Sequence, residues 1–255
     1  MLTKIIAVIA YIGMVIVNFL ATSLPINNRS TGAISDAYPN LFAPAGVTFS
    51  IWGLIYLLLA GYVIYQFTQR GKATDDLIKK INPLFVATSL VNISWIFAWH
   101  YDYIGISVIL MLCLLVLLIK IANILRTGQF NMLDKLLIRA PFSIYFGWIT
   151  VATIANITVF LVKTGWNGFG IPDYVWTSVV LVIGALIGIL RMRLDKNVPY
   201  GLVLMWAYGG ILLKHVLAQG FGGQYPSVIF TTIGCLVLFA FFIFKLLVKN
   251  KTPSS

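Results

Sequence analysis

Residues 103–125 read YIGISVILMLCLLVLLIKIANIL, and Lys120 is the single charged residue in this stretch. An α-helix rises about 1.5 Å per residue. A run of roughly 20 apolar residues is therefore long enough to cross the hydrocarbon core of a bilayer. The stretch predicts a transmembrane helix.

The same kind of stretch recurs along the whole chain. The chain has 255 residues, of which 60% are hydrophobic and 10% are charged. A soluble domain has roughly 25% charged residues, so this chain has too few charges to cover a surface in water. The sequence predicts an all-α fold, a polytopic membrane helical bundle of about eight transmembrane helices whose surroundings are the lipid bilayer. The further predicted spans are 4–23, 45–68, 81–100, 140–162, 172–191, 198–218 and 227–247.

The positive charges are distributed unevenly between the two sides of the predicted bundle. With the N-terminus inside, 15 of the 18 Lys and Arg residues fall on the inner side, against Arg29 and Lys163 outside and Lys214 near an outer helix end. This asymmetry is typical of the positive-inside rule. It predicts that both termini are cytoplasmic, and it accounts for the net charge of +11 without nucleic acid as a partner. The inner set is Lys4, Arg70, Lys72, Lys79, Lys80, Lys120, Arg126, Lys135, Arg139, Arg191, Arg193, Lys196, Lys245, Lys249 and Lys251.

The first span has a second interpretation, a cleaved signal peptide. Lys4 is a basic start, and residues 21–23 are small. The apolar run 5–20 is long for a signal peptide and contains Asn18, which favours a retained helix.

The longest outer connection is residues 24–44, which is rich in Pro, Asn and Gly. This composition is typical of turns rather than of a helix. We expect either a lid over an outward-facing cavity or a plain tether.

Three predicted helices have aromatic and amide residues on one face. Spacings of three, four and seven residues place side chains on the same side of a helix. By the rise of a helix, all three sets lie in the outer half of the membrane, beneath the 24–44 connection. The second span contributes Pro44, Phe49, Trp52 and Tyr56, the third Asn92, Trp95 and Trp99, and the fifth Trp148, Ala152 and Asn156.

An aromatic wall with a few amides indicates a pocket for a flat apolar ligand. Two alternatives remain open at this point. The tryptophans could form an interfacial belt, which suits Trp99, Trp166 and Trp176 but not Trp148 near mid-membrane. The amides could instead cross-link a tightly packed helix interface.

The same segments resemble the TspO/translocator protein family, also called tryptophan-rich sensory proteins or peripheral-type benzodiazepine receptors. They are residues 44–56, PAGVTFSIWGLIY; residues 92–95, NISW; and the W-x7-N spacing from Trp148 to Asn156. Their order fits the second, third and fifth helices of that five-helix fold. The resemblance departs from the family pattern at Ala45 and Ser50, where prolines are usual, and at Pro141, which lies one turn early.

The resemblance covers about residues 1–165. It implies a division into a TspO-like five-helix domain over 1–165 and three additional transmembrane helices with a short disordered tail over 166–255. It also implies a possible homodimer and a pocket for a hydrophobic ligand such as a tetrapyrrole, with no cofactor required. The predicted ligand-binding residues are Pro44, Phe49, Trp52, Tyr56, Asn92, Trp95, Trp148, Ala152 and Asn156.

The sequence offers little for catalysis or metal binding. His100 and His215 have no partners at metal-ligand spacing, and we expect His100 to be solvated beside Asp102 at a helix end. The leading hypothesis is a non-enzymatic receptor or carrier for a planar hydrophobic ligand. The alternatives are an enzyme that breaks down a bound tetrapyrrole by oxidation or light, and a secondary transporter.

Overall fold

The structure, a computed structural model, describes residues 1–24, 26–69 and 73–249. Regular structure within these ranges is helical, and no strand occurs in them. The predicted disordered tail at 252–255 and the cations Arg70, Lys72 and Lys251 lie outside the described residues.

In the described part of the chain eight long helices follow one another, and each overlaps a predicted span, although the third starts eight residues before its predicted span of 81–100. They are α1 (Leu2–Ser23), α2 (Ile51–Tyr65), α3 (Ala73–His100), α4 (Ile104–Arg126), α5 (Ala140–Lys163), α6 (Asp173–Asp195), α7 (Val198–Val216) and α8 (Pro226–Lys249). Helix α2 is extended by 3₁₀ turns at Gly46–Ser50 and Gln66–Gln69, and a π-helical turn at Lys135–Arg139 leads into α5.

Seven helical segments in the described part of the chain are long and apolar enough to cross a membrane. The eighth helix, α7, has 19 residues and includes Pro199, Lys214 and His215, and it is not among these seven segments. Neighbouring helices cover much of α7, since it packs against α5 and α8. The chain is a multi-pass membrane protein with an all-helical bundle, as predicted.

Helix α5 holds the bundle together. It packs against α2, α4 and α7, while α3 lies between α1 and α4, and α8 packs on α6 and α7. The contact between α5 and α7 is close at Gly147, where a Cβ atom would lie 3.0 Å from the carbonyl oxygen of Tyr200. Small residues permit such approaches between membrane helices. The three C-terminal helices therefore join the other five mainly through α7.

The bundle has two distinct ends. We call the end with the start of α1 and the π-helical turn before α5 the terminal face, and the end with residues 24–50 the loop face. The division into domains at residue 165 stays a prediction, although α6, α7 and α8 do pack on one another.

The prediction that residues 24–44 contain turns rather than a helix is wrong in one part. A six-residue helix, Thr31–Asp36, lies in this segment, and we call it the loop helix. Its N-terminus is capped by Ser30, whose hydroxyl accepts from the amide of Ala33 at 3.2 Å. A serine at this position satisfies one of the free amides of the first turn. Ser30 is therefore the residue in the sequence that indicates a helix start, which the Pro, Asn and Gly composition of the segment did not show.

Candidate ligand-binding site

A narrow cavity lies beneath the loop helix at the loop face, among α2, α3, α4 and α5. Its volume is about 50 Å³. Its walls are mainly aromatic and aliphatic. The lining residues are Thr31, Ser35, Pro44, Phe49, Trp52, Trp95, Trp99, Met111, Trp148, Val151, Ala152, Ala155, Asn156 and Val159.

The structure brings seven of the nine predicted site residues together around this cavity. The two others, Tyr56 and Asn92, lie behind the wall. The ring of Tyr56 stacks on Trp52 with centroids 5.5 Å apart and planes at 17°. Asn92 is fully buried one turn before Trp95 in α3. These two residues support the wall and do not line the cavity.

The aromatic rings fix one another in place. The ring of Trp148 meets Phe49 edge to face at 5.8 Å and Trp52 at 6.2 Å, both at 82°. Trp95 and Trp99 stack at 5.5 Å. Edge-to-face and offset-stacked pairs of this kind add about 0.5–1.5 kcal/mol each beyond the area that they bury. Paired aromatic rings therefore line the cavity from the start of α2, from α3 and from α5.

The amide side chains cross-link helices, as expected from the alternative in which they join a tightly packed helix interface. The indole Nε1 of Trp95 donates to Oδ1 of Asn156 at 2.9 Å, and Nδ2 of Asn156 donates to the hydroxyl of Ser107 at 2.9 Å. Nδ2 of Asn18 donates to Oδ1 of Asn92 at 2.7 Å. These bonds join α3 to α5, α5 to α4 and α1 to α3, so the packed interface and the cavity coexist.

One polar group in the cavity wall is left without a partner. Trp148 is 3% exposed, and its Nε1 is a buried donor with no acceptor among the described residues. A buried donor that stays unpaired costs roughly 1–3 kcal/mol. An acceptor placed in the cavity beside Trp148 would remove this cost.

The loop helix forms the roof of the cavity through Thr31 and Ser35. The Nε1 of Trp99 donates to the carbonyl oxygen of Thr31 at 3.1 Å. Trp99 is 4% exposed and lines the cavity, so its interpretation as part of an interfacial belt is wrong. Trp99 follows Trp95 by four residues, and this spacing was the feature of the sequence that placed Trp99 on the same helix face as Trp95.

The expectation of a solvated His100 is also wrong, because this side chain is 1% exposed. Its Nδ1 lies 2.9 Å from the carbonyl oxygen of Ile26, and its Nε2 lies 3.1 Å from the hydroxyl of Thr31. A neutral ring protonated on Nδ1 satisfies both contacts. His100 therefore ties the roof to the end of α3.

Helix α7 holds the chain segment that leads into α2, which sequence reasoning did not anticipate. The amide of Ala45 donates to the carbonyl oxygen of Gly210 at 2.9 Å, and Nε1 of Trp206 donates to the carbonyl oxygen of Thr48 at 2.9 Å. Nε2 of His215 lies 2.8 Å from the carbonyl oxygen of Leu41. The C-terminal helices thus fix the wall segment that contains Pro44 and Phe49.

A charged cluster ties the same roof to two helix ends. Asp102 accepts from the hydroxyl of Tyr38 at 2.5 Å and from Nζ of Lys163 at 2.6 Å. Partial burial raises the pKa of Asp102, but its bonds to Lys163 and Tyr38 outweigh this effect, so the pKa lies below its usual value. Burial, followed by the bond to Asp102, raises the pKa of Tyr38.

No group of three or more His, Cys, Asp or Glu side chains within the described ranges is arranged to hold a metal ion. Among these residues, the cavity wall also has no carboxylate, lysine or arginine. What the arrangement offers chemically is an apolar aromatic surface with a few hydrogen-bonding groups.

A multi-pass helical membrane protein with a roofed aromatic cavity is the class that the fold and the site define. The comparison with family models narrows this class, since the model for TSPO-like proteins matches residues 4–245. The chain belongs to this TSPO-like family, and the resemblance inferred from three motifs is confirmed. The match extends past residue 165 through most of the three C-terminal helices. Searches of curated proteins and of solved structures returned no match.

Proposed function

We propose that the protein is a non-enzymatic membrane receptor or carrier for a planar hydrophobic ligand such as a porphyrin, bound in the cavity under the loop helix. The observation that carries the proposal is the convergence of four tryptophans and Phe49 on one cavity without a charged group in its described wall. Aromatic faces suit a flat apolar ring, and the few polar groups fix its orientation.

The free Nε1 of Trp148 supports a ligand that has at least one acceptor on its rim. A propionate carboxylate of a porphyrin or a carbonyl group would serve, because either accepts from an indole N–H. The hydrogen bond would contribute most in this cavity, where water is largely excluded.

The cavity must widen before such a ligand fits. Drug-sized ligands occupy pockets of roughly 300–1,000 Å³, whereas the volume of this cavity is about 50 Å³. The loop helix is only six residues long, and side-chain bonds from Trp99 and His100 hold it at Thr31. We infer that ligand entry displaces this helix from the tryptophans.

We also infer that the loop face is extracytoplasmic and that both termini are cytoplasmic. The terminal face has the cations Lys4, Arg126 and Arg139, among others, as the positive-inside rule requires. A ligand would then enter from the outer leaflet.

The test is quenching of tryptophan fluorescence by protoporphyrin titrated into the purified protein. We expect saturable quenching, weakened at least about tenfold in Trp52→Ala and in Trp148→Ala, since a central aromatic contact is worth 2 kcal/mol or more. Trp166→Ala is the control, because Trp166 lies outside the cavity and is 38% exposed. Equal affinities in all four proteins would contradict the proposal.

Two further measurements separate the proposal from its alternatives. Products from illuminated protoporphyrin that disappear in Trp148→Ala would favour an enzyme. Flux of the ligand into proteoliposomes driven by an ion gradient would favour a secondary transporter. Saturable binding without either result is what a receptor predicts.

A further inference from the structure

A second cavity, distinct from the aromatic one, opens at the terminal face. It lies between the π-helical turn before α5, the corner between α6 and α7, and the last turns of α8, and its volume is about 450 Å³. We call it the basic cavity. Its lining residues are Lys135, Arg139, Ala140, Lys196, Asn197, Val198, Pro199 and Leu247.

One side of the basic cavity is cationic. Lys135, Arg139 and Lys196 line it, and no acidic residue is among the described lining residues. The acids adjacent in sequence are engaged elsewhere. Asp134 accepts from the hydroxyl of Tyr65 at 3.1 Å. One carboxyl oxygen of Asp195 forms an ion pair with Arg191 at 2.7 Å, and the other is buried without a partner among the described residues.

The cations differ in how they are held. The Arg139 guanidinium donates to the backbone carbonyl of Asp195, which fixes its position in the wall. Lys135 and Lys196 are exposed and have no ion-pair partner among the described residues. Helix α7 starts at Val198 beside them, and the positive end of its dipole also favours an anion.

The other side of the basic cavity is apolar. Val198, Pro199 and Leu247 form it, and Leu247 is 47% exposed on the outside of α8. In a membrane this surface faces acyl chains. A free phosphate ion would use the cationic side alone, whereas a phospholipid would use both sides.

We propose that the basic cavity binds an anionic phospholipid, with its headgroup phosphate between Lys135, Arg139 and Lys196 and an acyl chain along Leu247. Basic pockets between membrane helices at the cytoplasmic side take such headgroups. This site is independent of the ligand site at the loop face.

The experiment is lipid binding to the full-length protein in neutral detergent, measured by native mass spectrometry and by thermal shift. The probes are phosphatidylglycerol, phosphatidylcholine with the same acyl chains, and inorganic phosphate. We expect phosphatidylglycerol to remain bound and to raise Tm, and the other two to do neither. Binding should weaken with added salt, because the charges are near the surface.

Substitutions assign the binding to the cavity. Lys135→Gln and Lys196→Gly should each weaken phosphatidylglycerol binding about fivefold. Lys196 has a left-handed backbone conformation with φ at 46°, which glycine adopts without strain. Lys196→Gly should therefore keep or raise the Tm of the lipid-free protein, so lost binding cannot be attributed to unfolding. Lys120→Gln removes an exposed cation of α4 outside the cavity and is the matched control.

Three results would overturn the proposal. Equal binding of phosphatidylglycerol and phosphatidylcholine would show that charge does not select the lipid. A Lys120→Gln effect as large as that of Lys196→Gly would show a diffuse surface attraction. Binding of inorganic phosphate as strong as that of phosphatidylglycerol would show an ion site without a lipid.

Discussion

Two buried polar regions lie in the same helical bundle, and they differ in whether their buried polar groups have hydrogen-bond partners. Near the terminal face, a set that we call the basal network joins α1, α2 and α3. Its members are Lys4, Tyr62, Gln66, Asp75 and Asn82, and each side chain has a partner. Near the loop face, several buried donors around the aromatic cavity have none.

The basal network is a continuous chain of contacts. Nζ of Lys4 forms an ion pair with Asp75 at 2.6 Å and donates to the carbonyl oxygen of Gln66 at 2.7 Å. Nδ2 of Asn82 donates to Oε1 of Gln66 at 2.9 Å, and the hydroxyl of Tyr62 donates to Oδ1 of Asn82 at 2.7 Å. Fully paired networks of this kind fix the packing of a core.

The cavity region has the opposite property. The buried side-chain atoms without a partner in the described part of the chain are Thr48 Oγ1, Tyr56 Oη, Asn92 Nδ2, Tyr145 Oη, Trp148 Nε1, Asp195 Oδ1 and His215 Nδ1. Five of these seven belong to the cavity wall or to residues next to it, although the Tyr145 hydroxyl and the Asn92 amide lie close enough to interact with each other. Native proteins rarely leave such groups unpaired without a functional reason. The contrast agrees with the proposed function, in which the terminal half of the bundle provides stability and the loop half binds the ligand.

The largest expected effect tests the stabilising role of the basal network. Lys4→Met removes the main partner of a buried carboxylate, since Asp75 is 8% exposed. Breaking a buried ion pair on one side costs about 3–5 kcal/mol. Asp75 lies near the edge of the bundle and keeps a contact from Lys79 at 3.1 Å, so the lower value is the upper limit of the expected loss. The loss should appear as a lower Tm in detergent. Lys79→Met, at an exposed position, is the control and should change Tm little, while ligand affinity should survive both changes.

The next effect tests whether the cavity depends on the C-terminal helices. A Cβ atom at Gly210 would lie 2.0 Å from Oγ1 of Thr48, whereas a Cβ atom at Gly209 would meet nothing within 4 Å. Gly210→Ala should displace the segment before α2 and cost about 1–3 kcal/mol, as overpacking does. Porphyrin affinity should fall with it.

The neighbouring substitution is the matched control. Gly209→Ala should be neutral or stabilise the helix by up to about 1 kcal/mol, with porphyrin affinity unchanged. If both variants bind porphyrin like the wild type, α7 does not shape the site.

The sequence predicted the apolar part of each helix because a long apolar run is a local property of the chain. The start of α3 at Ala73 was not predicted, because its first eight residues include four charged side chains. The start of α5 at Ala140 and the course of α4 follow directly from the hydropathy and the charges near residue 139. Most of the site was predictable for a similar reason. Spacings of three and four residues place Trp95 and Trp99, or Trp148 and Ala152, on one face of a helix regardless of the rest of the fold.

The contacts that were missed join residues far apart in the chain. The bond between His215 and Leu41 spans 174 residues, and the bond between Trp206 and Thr48 spans 158. Such pairs depend on which helices become neighbours, and the periodicity within a single helix does not show which helices these are. For the same reason Lys4 was counted only as a cation of the inner side, and its ion pair with Asp75 was not expected.

A matched pair of tyrosines in α2 compares the two regions directly. Tyr62→Phe removes a hydroxyl that donates to Asn82 and leaves Oδ1 of Asn82 buried and unpaired, which should cost about 1–2 kcal/mol. Tyr56→Phe removes a hydroxyl that has no partner, and it should be neutral or slightly stabilising in the protein without ligand. Unfolding in detergent measures both. Equal losses would mean that the Tyr56 hydroxyl has a partner after all, and the contrast between the two regions would fail.

The smallest effect concerns the charged cluster that holds the roof. The pKa of Asp102 is lowered in the folded protein, since the bonds from Lys163 and Tyr38 outweigh partial burial. A lowered carboxyl pKa contributes stability above the unfolded value of about 3.9. This contribution is lost as the pH falls through the lower, folded value.

The cluster is exposed, so Asp102→Asn should cost less than about 1 kcal/mol at neutral pH and should flatten the stability profile below pH 4. Because Tyr38 follows the loop helix by two residues, the same variant should speed porphyrin association more than it lowers Tm. An unchanged association rate would mean that the loop helix, and not this cluster, limits entry to the cavity.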